Sequence, residues 1–260
     1  MTPTVVYCNL RCLFCWRVQP SDIGLNFNET QMPDWDDPET IVDGCIKSQL
    51  SILSGYRANS TLNIERYKEA LEPKHAAISL DGEPTLYPEL GELVKEFHKK
   101  GLTTFIVTNG TMPDVLTNLS EEPTQLYVSL TASDEEHFQK VCRPLVPNAW
   151  QKLNRTLEAL PSFSCPTVIR LTSVRNLNME NPEKYAKLIE KANPTYIEPK
   201  GYVYVGLSRK RLKFENMPTH SDIRQFAQQL SELTGYKIID ESPDNLVVLL
   251  SRLDKPIKLA

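Results

Sequence analysis

The sequence has none of the features that mark a membrane or secreted protein. No apolar run approaches the roughly 20 residues needed to cross a bilayer. The first residues do not form a basic region followed by an apolar one, which argues against a secretory signal. The formal net charge of −4 gives no general reason to bind nucleic acid, so such binding would need a local basic patch. These absences, together with mostly unpaired cysteines, favour a cytoplasmic protein.

Cysteine is scarce, yet three of the six cysteines fall close together near the start of the chain. Cys8, Cys12 and Cys15 have the spacing Cys-x3-Cys-x2-Cys, with an aromatic residue just before the last one. Three thiolates on one loop can hold three irons of a cubane iron–sulfur cluster and leave the fourth iron open. A structural zinc ion usually takes four Cys or His ligands, and the next ones, Cys45 and His75, are distant. The spacing therefore favours a reactive cluster, with zinc and simple packing as the alternatives.

The other three cysteines are predicted to be structural. Cys45 lies on an apolar helical stripe, and Cys142 and Cys165 have no nearby partner in the sequence. A free cysteine in such a setting usually behaves as a small apolar residue, so packing is favoured over chemistry for each.

Short β-type runs alternate with longer helical patterns, which is typical of a parallel α/β fold. Six strands are predicted, at 5–7, 76–80, 103–107, 125–130, 167–171 and 196–198, with helices at 38–54, 88–100, 135–141, 149–160 and 182–192. Six strand–helix units are too few for a closed eight-fold barrel and suit an open, partial TIM-like barrel. A helix near 221–233 and strands at 237–239 and 246–250 are expected to cap or extend the sheet.

The polar motifs follow the predicted strands, at the edge where parallel α/β folds bind ligands. One of them is Gly82-Glu83-Pro84, in which the glycine allows close backbone approach and Glu83 can accept a hydrogen bond from an ammonium group. Alone this is a weak signal, because a turn before a helix has the same composition. Together with the cysteine triplet, it is similar to the radical S-adenosylmethionine (SAM) enzymes, in which the open iron chelates SAM and this segment binds its ammonium.

Longer segments narrow the resemblance from a superfamily to a family. From Tyr7 to about Leu250 the chain resembles the tRNA 4-demethylwyosine synthases of wybutosine biosynthesis, of the archaeal single-domain type. The segments that carry this resemblance are Cys12-Leu13-Phe14-Cys15-Trp16-Arg17, Ile78 to Pro88, Thr108-Asn109-Gly110-Thr111, Gln125 to Leu130, Arg143-Pro144-Leu145, Ile197 to Tyr202 and Asn216-Met217-Pro218-Thr219-His220. The resemblance implies a radical SAM core at 1–215, with 216–260 packed on it as part of one structural unit.

The resemblance also implies a reaction. The substrate would be tRNA-Phe carrying N1-methylguanosine just 3′ of the anticodon, and the second substrate would be pyruvate. A 5′-deoxyadenosyl radical would remove hydrogen from the N-methyl group, and the carbon radical would add to pyruvate, which loses its carboxyl group before ring closure. Such an enzyme is a carbon–carbon lyase that uses a [4Fe-4S] cluster and SAM. A monomer with an external flavodoxin or ferredoxin as electron donor is expected.

Individual site residues follow from the resemblance and from their positions. Cys8, Cys12 and Cys15 would bind the cluster, and Gly82 and Glu83 would bind SAM. Further expected SAM contacts are Asn109, Ser129, Thr131 and Arg170. Asn109 is equally compatible with a turn-stabilising role before Gly110, and Arg170 with an ordinary ion pair.

Lys200 and the basic segment after it are assigned to the substrates. A desolvated lysine can form a Schiff base with a keto acid, and Lys200 could equally bind the pyruvate carboxylate or an RNA phosphate. Arg209, Lys210 and Arg211 belong to a run of four cations in six residues, for which RNA contact is favoured over a merely solvated loop.

The chain differs from the family in two respects. Members usually carry three more cysteines upstream of the triplet, which bind a second cluster; here no cysteine precedes Cys8. We expect that the chain is truncated at its N-terminus, or that pyruvate is held without a second cluster. No segment of the sequence resembles the reductase domain of eukaryotic members, so a separate protein is expected to supply the electrons. Two other functions stay open: a radical SAM enzyme of another class, such as an activase, and a non-catalytic RNA-binding protein that contains a metal.

Overall fold

A seven-stranded sheet organises the structure, a computed structural model that describes residues 1–259. The strands are β1 (His75–Ile78), β2 (Thr103–Thr108), β3 (Gln125–Ser129), β4 (Thr167–Ser173), β5 (Tyr196–Gly201), β6 (Lys237–Ser242) and β7 (Val247–Ser251). Their order is β1-β2-β3-β4-β5-β7-β6. Strands β1 to β5 are parallel, and β7 pairs antiparallel with both β5 and β6. The parallel part forms the predicted open α/β barrel, and the C-terminal strands extend its sheet.

Eight helices connect and cover these strands in the part of the chain described. They are α1 (Pro38–Ser54), α2 (Ile64–Ala70), α3 (Leu90–Lys99), α4 (Pro113–Thr117), α5 (Glu135–Cys142), α6 (Ala149–Ala159), α7 (Pro182–Ala192) and α8 (His220–Thr234). Helix α1 begins as predicted, since the Asp37 side chain accepts from Thr40 N at 2.9 Å and Pro38 occupies the first turn. Helix α2 was not predicted; it is short and buries no residue. No helix among residues 1–259 is long and apolar enough to cross a membrane.

The predicted first strand at 5–7 is wrong. Val6 has φ 60°, and Tyr7 N donates to Thr4 O at 2.9 Å, so the chain turns here despite two β-branched valines. The N-terminal segment nevertheless lies beside β1, because the Met1 amino group donates to Ala77 O at 2.8 Å and Ser79 N donates to Met1 O at 2.9 Å. The described barrel therefore has five parallel strands. The turn at 4–7 directs the chain into residues 8–17, which contain the three cysteines and are called the cysteine loop below.

The alternation of side chains along the strands separates the core from the site. On β2, Thr104, Ile106 and Thr108 are buried while the residues between them are half-buried. Except for Thr108, which lines the cavity at the end of the strand, this face packs against the helices, and Leu93, Phe97, Leu153 and Ile189 are among the fully buried side chains. The opposite, concave face carries Val107, Ser129, Arg170, Thr172 and Lys200, all of which line one cavity.

Candidate active site

The cysteine loop is held against the C-terminal end of α5 by its backbone. Arg11 N donates to Cys142 O at 3.0 Å, and Leu13 N donates to Val141 O at 2.9 Å. These bonds place Cys12 beside Cys142. Inside the loop, Cys15 N donates to Cys12 O at 3.2 Å, which forms a tight turn between the last two cysteines of the triplet.

Ten of the thirteen site residues predicted from the sequence meet in a single cavity of about 710 Å³. The cavity lies at the concave face of the sheet, and the cysteine loop forms part of its wall. The predicted residues that line it are Cys8, Cys12, Cys15, Gly82, Glu83, Asn109, Ser129, Thr131, Arg170 and Lys200. Residues separated by up to 192 positions in sequence (200 − 8) therefore share one space.

The three thiols suit a cluster held by thiolates. Burial, then the nearby Glu83 carboxylate, raises the pKa of Cys8, and burial also raises the pKa of Cys15. For Cys12, a hydrogen bond with Cys142 and burial raise the pKa. The thiols are therefore protonated until iron displaces the protons. No three metal-ligand side chains among residues 1–259 converge on a single metal ion; in a cubane each thiolate binds a different iron, so a [4Fe-4S] cluster fits this donor set.

Glu83 follows a turn that only glycine accommodates. Gly82 has φ 70°, and a Cβ atom there would lie 2.6 Å from Tyr7 O, which is too close. Glu83 is 2% exposed, and its Oε1 accepts from both Thr85 N at 3.1 Å and Thr85 Oγ1 at 2.7 Å, and from Thr108 Oγ1. Its Oε2 accepts from Asn109 N at 2.7 Å and keeps a free lone pair. Burial raises the pKa of Glu83, while these hydrogen bonds oppose the rise.

Asn109 stabilises a turn and also lines the cavity. Its Oδ1 accepts from Thr111 N at 3.0 Å and Thr111 Oγ1 at 2.6 Å, as the turn interpretation requires. Its Nδ2 donates to Asn9 Oδ1 at 2.8 Å and lies 4.0 Å from Cys8 Sγ. Asn9 is fully buried inside the cysteine loop and was missed by the sequence analysis, although a polar residue next to a ligand cysteine was a usable signal.

The segment after β3 and strand β4 add polar groups that are already partly paired. Thr131 Oγ1 lies 3.0 Å from Cys142 Sγ, so the cavity wall connects to the cysteine loop. The Arg170 Nε atom donates to Glu198 Oε1 at 2.7 Å, and the guanidinium lies 4.5 Å from the centre of the Tyr127 ring. Arg170 thus has the ion pair considered as its alternative role and still lines the cavity.

The shorter predicted strand, at 196–198, placed Lys200 after the strand. In the structure Lys200 lies within β5. It pairs with Thr172 of β4 and with Val247 of β7, so its backbone is held from both sides. Unlike Arg170, Lys200 forms no ion pair with any other described residue. Its side chain therefore lines the cavity without a charged partner among the described residues.

The basic segment does not act as one surface, and the assignment of Arg211 to RNA is corrected. The Arg211 side chain is 9% exposed and its Nη1 donates to Asp22 Oδ1 at 2.5 Å and Oδ2 at 2.7 Å. It also donates to Leu13 O at 3.3 Å and to Cys15 O, so it holds the cysteine loop. The five N–H donors of an arginine can bind a carboxylate and several carbonyl groups at once. Asp22 and the carbonyls of the cysteine loop therefore hold this side chain in the interior. Arg209 and Lys210 stay near the surface.

Two family models match the chain. The radical SAM superfamily model covers residues 2–189, and the wyosine base formation model covers residues 191–252. Curated relatives named S-adenosyl-L-methionine-dependent tRNA 4-demethylwyosine synthase include a Pyrococcus abyssi protein, 50% identical over 98% of this chain and 74% of that protein. The Methanocaldococcus jannaschii protein of that name is 42% identical over 98% of this chain and 81% of its own length.

Solved structures show the same relationship. A structure of TYW1 with a lysine–pyruvate adduct bound has a TM-score of 0.85 and 40% identity, covering 96% of this chain and 78% of that one. A crystal structure of archaeal TYW1 has a TM-score of 0.75 and 37% identity, covering 88% and 75% of the two chains. Escherichia coli coproporphyrinogen III oxidase, at 15% identity and a TM-score of 0.51, shares the fold. The chain belongs to the tRNA 4-demethylwyosine synthase family of radical SAM enzymes.

Proposed function

We propose that this enzyme condenses N1-methylguanosine, 3′ of the anticodon of tRNA-Phe, with pyruvate to form 4-demethylwyosine. The observation that carries this proposal is the position of Lys200. It is the one lysine among residues 1–259 that lines the cavity into which Cys8, Cys12 and Cys15 also face. A site that generates a radical and a site that holds a keto acid therefore share one space, as a radical addition to pyruvate requires.

The cofactor side of the cavity is assigned to the cysteine loop and to residues 79–83, which follow β1 and are called the β1 turn. Cys8, Cys12 and Cys15 would hold the [4Fe-4S] cluster, which together with SAM supplies the 5′-deoxyadenosyl radical. Glu83 Oε2 would accept from the SAM ammonium through its free lone pair. Asn109, Ser129 and Thr131 would line the SAM site. A second cluster, expected from the resemblance, would need cysteines upstream of Met1 and stays a prediction, as does the external electron donor.

The substrate side is assigned to β5. The Lys200 amine would attack the pyruvate carbonyl and lose water to form a Schiff base, which holds pyruvate covalently while the radical adds. Arg170 on β4, which pairs with Glu198, stays a predicted SAM contact. The lysine–pyruvate adduct bound in the TYW1 structure, at 40% identity, supports a covalent role for a lysine here.

Anaerobic reconstitution tests the reaction. The protein is loaded with iron and sulfide, reduced, and incubated with SAM, pyruvate and tRNA that contains N1-methylguanosine. We expect 5′-deoxyadenosine and a tricyclic base in the digested tRNA. Formation of 5′-deoxyadenosine without the tricyclic base would point to a radical SAM enzyme of another class. Absence of both products would contradict the proposal.

Borohydride trapping tests Lys200 without the radical step. Incubation with pyruvate and borohydride should add one reduced pyruvate to a peptide that contains Lys200. Lys200→Arg keeps the charge but cannot form a Schiff base, so the adduct should disappear. Lys210→Arg is the matched control and should keep the adduct. Equal labelling of both variants would leave Lys200 with a binding role only.

A further inference from the structure

Apolar side chains surround the mouth of the cavity although they are exposed to water. We call these four residues the rim: Trp16 (45% exposed), Leu80 (57%), Val203 (42%) and Val205 (43%). They come from the two sides of the opening, the cysteine loop and β1 turn on one side and the loop after β5 on the other. Exposed apolar groups that cluster around an opening mark a binding site more often than chance exposure does.

Trp16 is held in place by its neighbours. The Arg17 guanidinium lies 3.7 Å from the centre of the Trp16 ring, and Arg17 Nε donates to Leu80 O at 3.2 Å. Leu80 has φ 97°, a conformation that costs energy for a residue with a Cβ atom and occurs mainly at functional sites. The Trp16 carbonyl accepts from Leu207 N at 2.9 Å. The Trp16 backbone and the Arg17 side chain are thus positioned by the protein, and a cation lies over the exposed indole ring.

A second aromatic group with an arginine lies on the neighbouring loop. The Arg209 guanidinium is 5.3 Å from the centre of the Tyr204 ring, and Phe214, which is 70% exposed, packs edge-on against the same ring at 5.9 Å. This loop contacts the cysteine loop directly, since Gly206 lies against Trp16 O. Two arginine-backed aromatic groups therefore lie on the loops that carry the rim, in a protein with a net charge of −4.

This combination fits unpaired RNA better than a peptide or a lipid surface. Bases of single-stranded RNA stack on aromatic rings and on arginine planes, while cations contact the phosphates. An enzyme that acts on a base must also take that base out of its stack, which leaves neighbouring bases in need of a new partner. A few aromatic groups with nearby cations can offer these bases a new stacking partner. A membrane-binding site would instead need a broader apolar face.

We propose that Trp16, backed by Arg17, is the platform on which an unpaired base of the RNA loop stacks at the cavity mouth. This inference rests on the proposed function, because it assumes that the substrate is an RNA loop. Trp16 would position the RNA so that the methylated base enters the cavity toward Lys200. Leu80, Val203 and Val205 would exclude water around it.

The first test compares two equally exposed tryptophans. Binding of an anticodon stem-loop that contains N1-methylguanosine is measured for wild type, Trp16→Ala and Trp35→Ala. Trp35 is 46% exposed, donates to Glu89 Oε1 at 2.9 Å, and does not line the cavity. Loss of one base–aromatic stack should weaken binding roughly 5- to 150-fold in Trp16→Ala. Trp35→Ala should bind like wild type, and Trp16→Phe should recover most of the affinity.

The second test observes stacking without removing the ring. The chain has three tryptophans, so the double variant Trp35→Phe/Trp150→Phe leaves Trp16 as the sole one. Addition of the stem-loop to this apo protein should quench its fluorescence, because a stacked base quenches indole emission. Addition of SAM alone or of inorganic polyphosphate should not quench it. This measurement stays valid even if Trp16→Ala folds poorly.

The outcomes separate this inference from the proposed function. If wild type makes the tricyclic base but Trp16→Ala and Trp35→Ala bind RNA equally, the platform is wrong and the function stands. If Trp16→Ala loses affinity for SAM and keeps affinity for RNA, the ring belongs to the SAM site and the platform is again wrong. If wild type neither binds nor modifies the RNA, the proposed function itself fails.

Discussion

Glu83 illustrates how hydrogen bonds can stabilise a buried carboxyl group beside a ligand cavity, although burial still raises its pKa. Removing a carboxylate from water costs several kcal/mol unless hydrogen bonds replace the lost hydration. Thr85 and Thr108 donate such bonds to Oε1, and Asn109 N donates one to Oε2, which leaves one lone pair of Oε2 without a donor. A cation that binds in the cavity would complete the set, which is the chemistry expected of the SAM ammonium.

Glu83→Gln should therefore weaken SAM binding. A hydrogen bond to a charged group contributes about 1.5–3 kcal/mol, which corresponds to roughly a 10- to 150-fold loss of affinity. Calorimetric titration of SAM into the reconstituted protein measures it. Thr108→Val is the control, because it removes one donor to Glu83 without changing the charge, and it should alter the affinity much less. Equal losses of SAM affinity in both variants would mean that Glu83 supports SAM binding only by stabilising the local structure.

At the scale of elements, the cysteine loop is held by one nearby side chain, Gln19, and by one from a distant part of the chain, Arg211. Gln19 Nε2 donates to Cys12 O at 2.9 Å, and Arg211 donates to Leu13 O and Cys15 O. Asp22 orients Arg211 from the turn at Pro20–Ile23. The loop after β5, which follows the Lys200 strand, thus fixes the loop that carries the ligand cysteines.

Arg211→Met should loosen the cysteine loop. It removes the bonds to both carbonyls and leaves Asp22 buried without its partner, which typically costs 3–5 kcal/mol. Hydrogen exchange of the segment 12–17 in the apo protein should become faster, and less iron should be retained after reconstitution. Lys213→Met, which changes an exposed cation two residues further along the chain, should change neither measurement.

A double variant separates the charge from the hydrogen bonds. In Asp22→Asn/Arg211→Met the stranded carboxylate is gone, so the free energy of unfolding should partly recover relative to Arg211→Met. The carbonyl bonds are still missing, so exchange in the loop should stay fast. If exchange returns to the wild-type rate, charge balance and not these bonds fixes the loop.

Asp134 joins two helices by a combination of cap and ion pair. It accepts from His137 N at 2.9 Å at the start of α5, and Lys184 Nζ in the first turn of α7 donates to it at 2.7 Å. Burial opposes ionisation, but the hydrogen bonds from Lys184 and His137 outweigh it and lower the pKa of Asp134. A carboxyl with a lowered pKa stabilises the fold above its unfolded-state pKa, and this stabilisation is lost as the pH falls.

Asp134→Asn keeps a good cap residue and removes the charge. The free energy of unfolding should fall by about 1 kcal/mol at neutral pH. The difference from wild type should shrink below about pH 4, where the carboxyl protonates in the unfolded chain. Urea unfolding at pH 7 and pH 3 measures both values. Asp114→Asn, an exposed partner of Arg155, should have little effect at either pH. A difference that does not depend on pH would contradict the charge argument.

What the sequence could and could not predict depends on how local the signal is. Asp37-Pro38 predicted the start of α1 correctly, because a cap involves neighbouring residues. The strand predicted at 5–7 failed because packing at Gly82 and the turn at Thr4 override the preference of the two valines. Arg211 looked like part of a basic surface, since its partner Asp22 is 189 positions away (211 − 22).

At the scale of the whole molecule, the parallel sheet brings the site together. Five parallel strands direct their C-terminal ends to one edge, so motifs scattered between Gly82 and Gly201 meet the cysteine loop there. This convergence was predictable from strand order alone. The rim was not, because exposure of Trp16 and Leu80 depends on backbone geometry such as the positive φ of Leu80.

The charge distribution of the molecule gives a last prediction. The net charge of −4 repels RNA as a whole, so binding depends on a few local cations, such as Arg209 and Lys210 in the loop after β5. Each phosphate contact contributes about 0.7–0.9 to the slope of log affinity against log salt. Arg209→Gln/Lys210→Gln should therefore lower the magnitude of the slope by about 1.5.

Filter binding of the stem-loop across a range of salt concentrations measures this slope. Lys99→Gln/Lys100→Gln is the matched control, since these exposed cations end α3 at the opposite edge of the sheet. It changes the net charge equally and should leave the slope unchanged. If both pairs change the slope by the same amount, net charge governs RNA binding. If neither does, RNA binding depends on stacking at the rim, because bases contact it without releasing counterions.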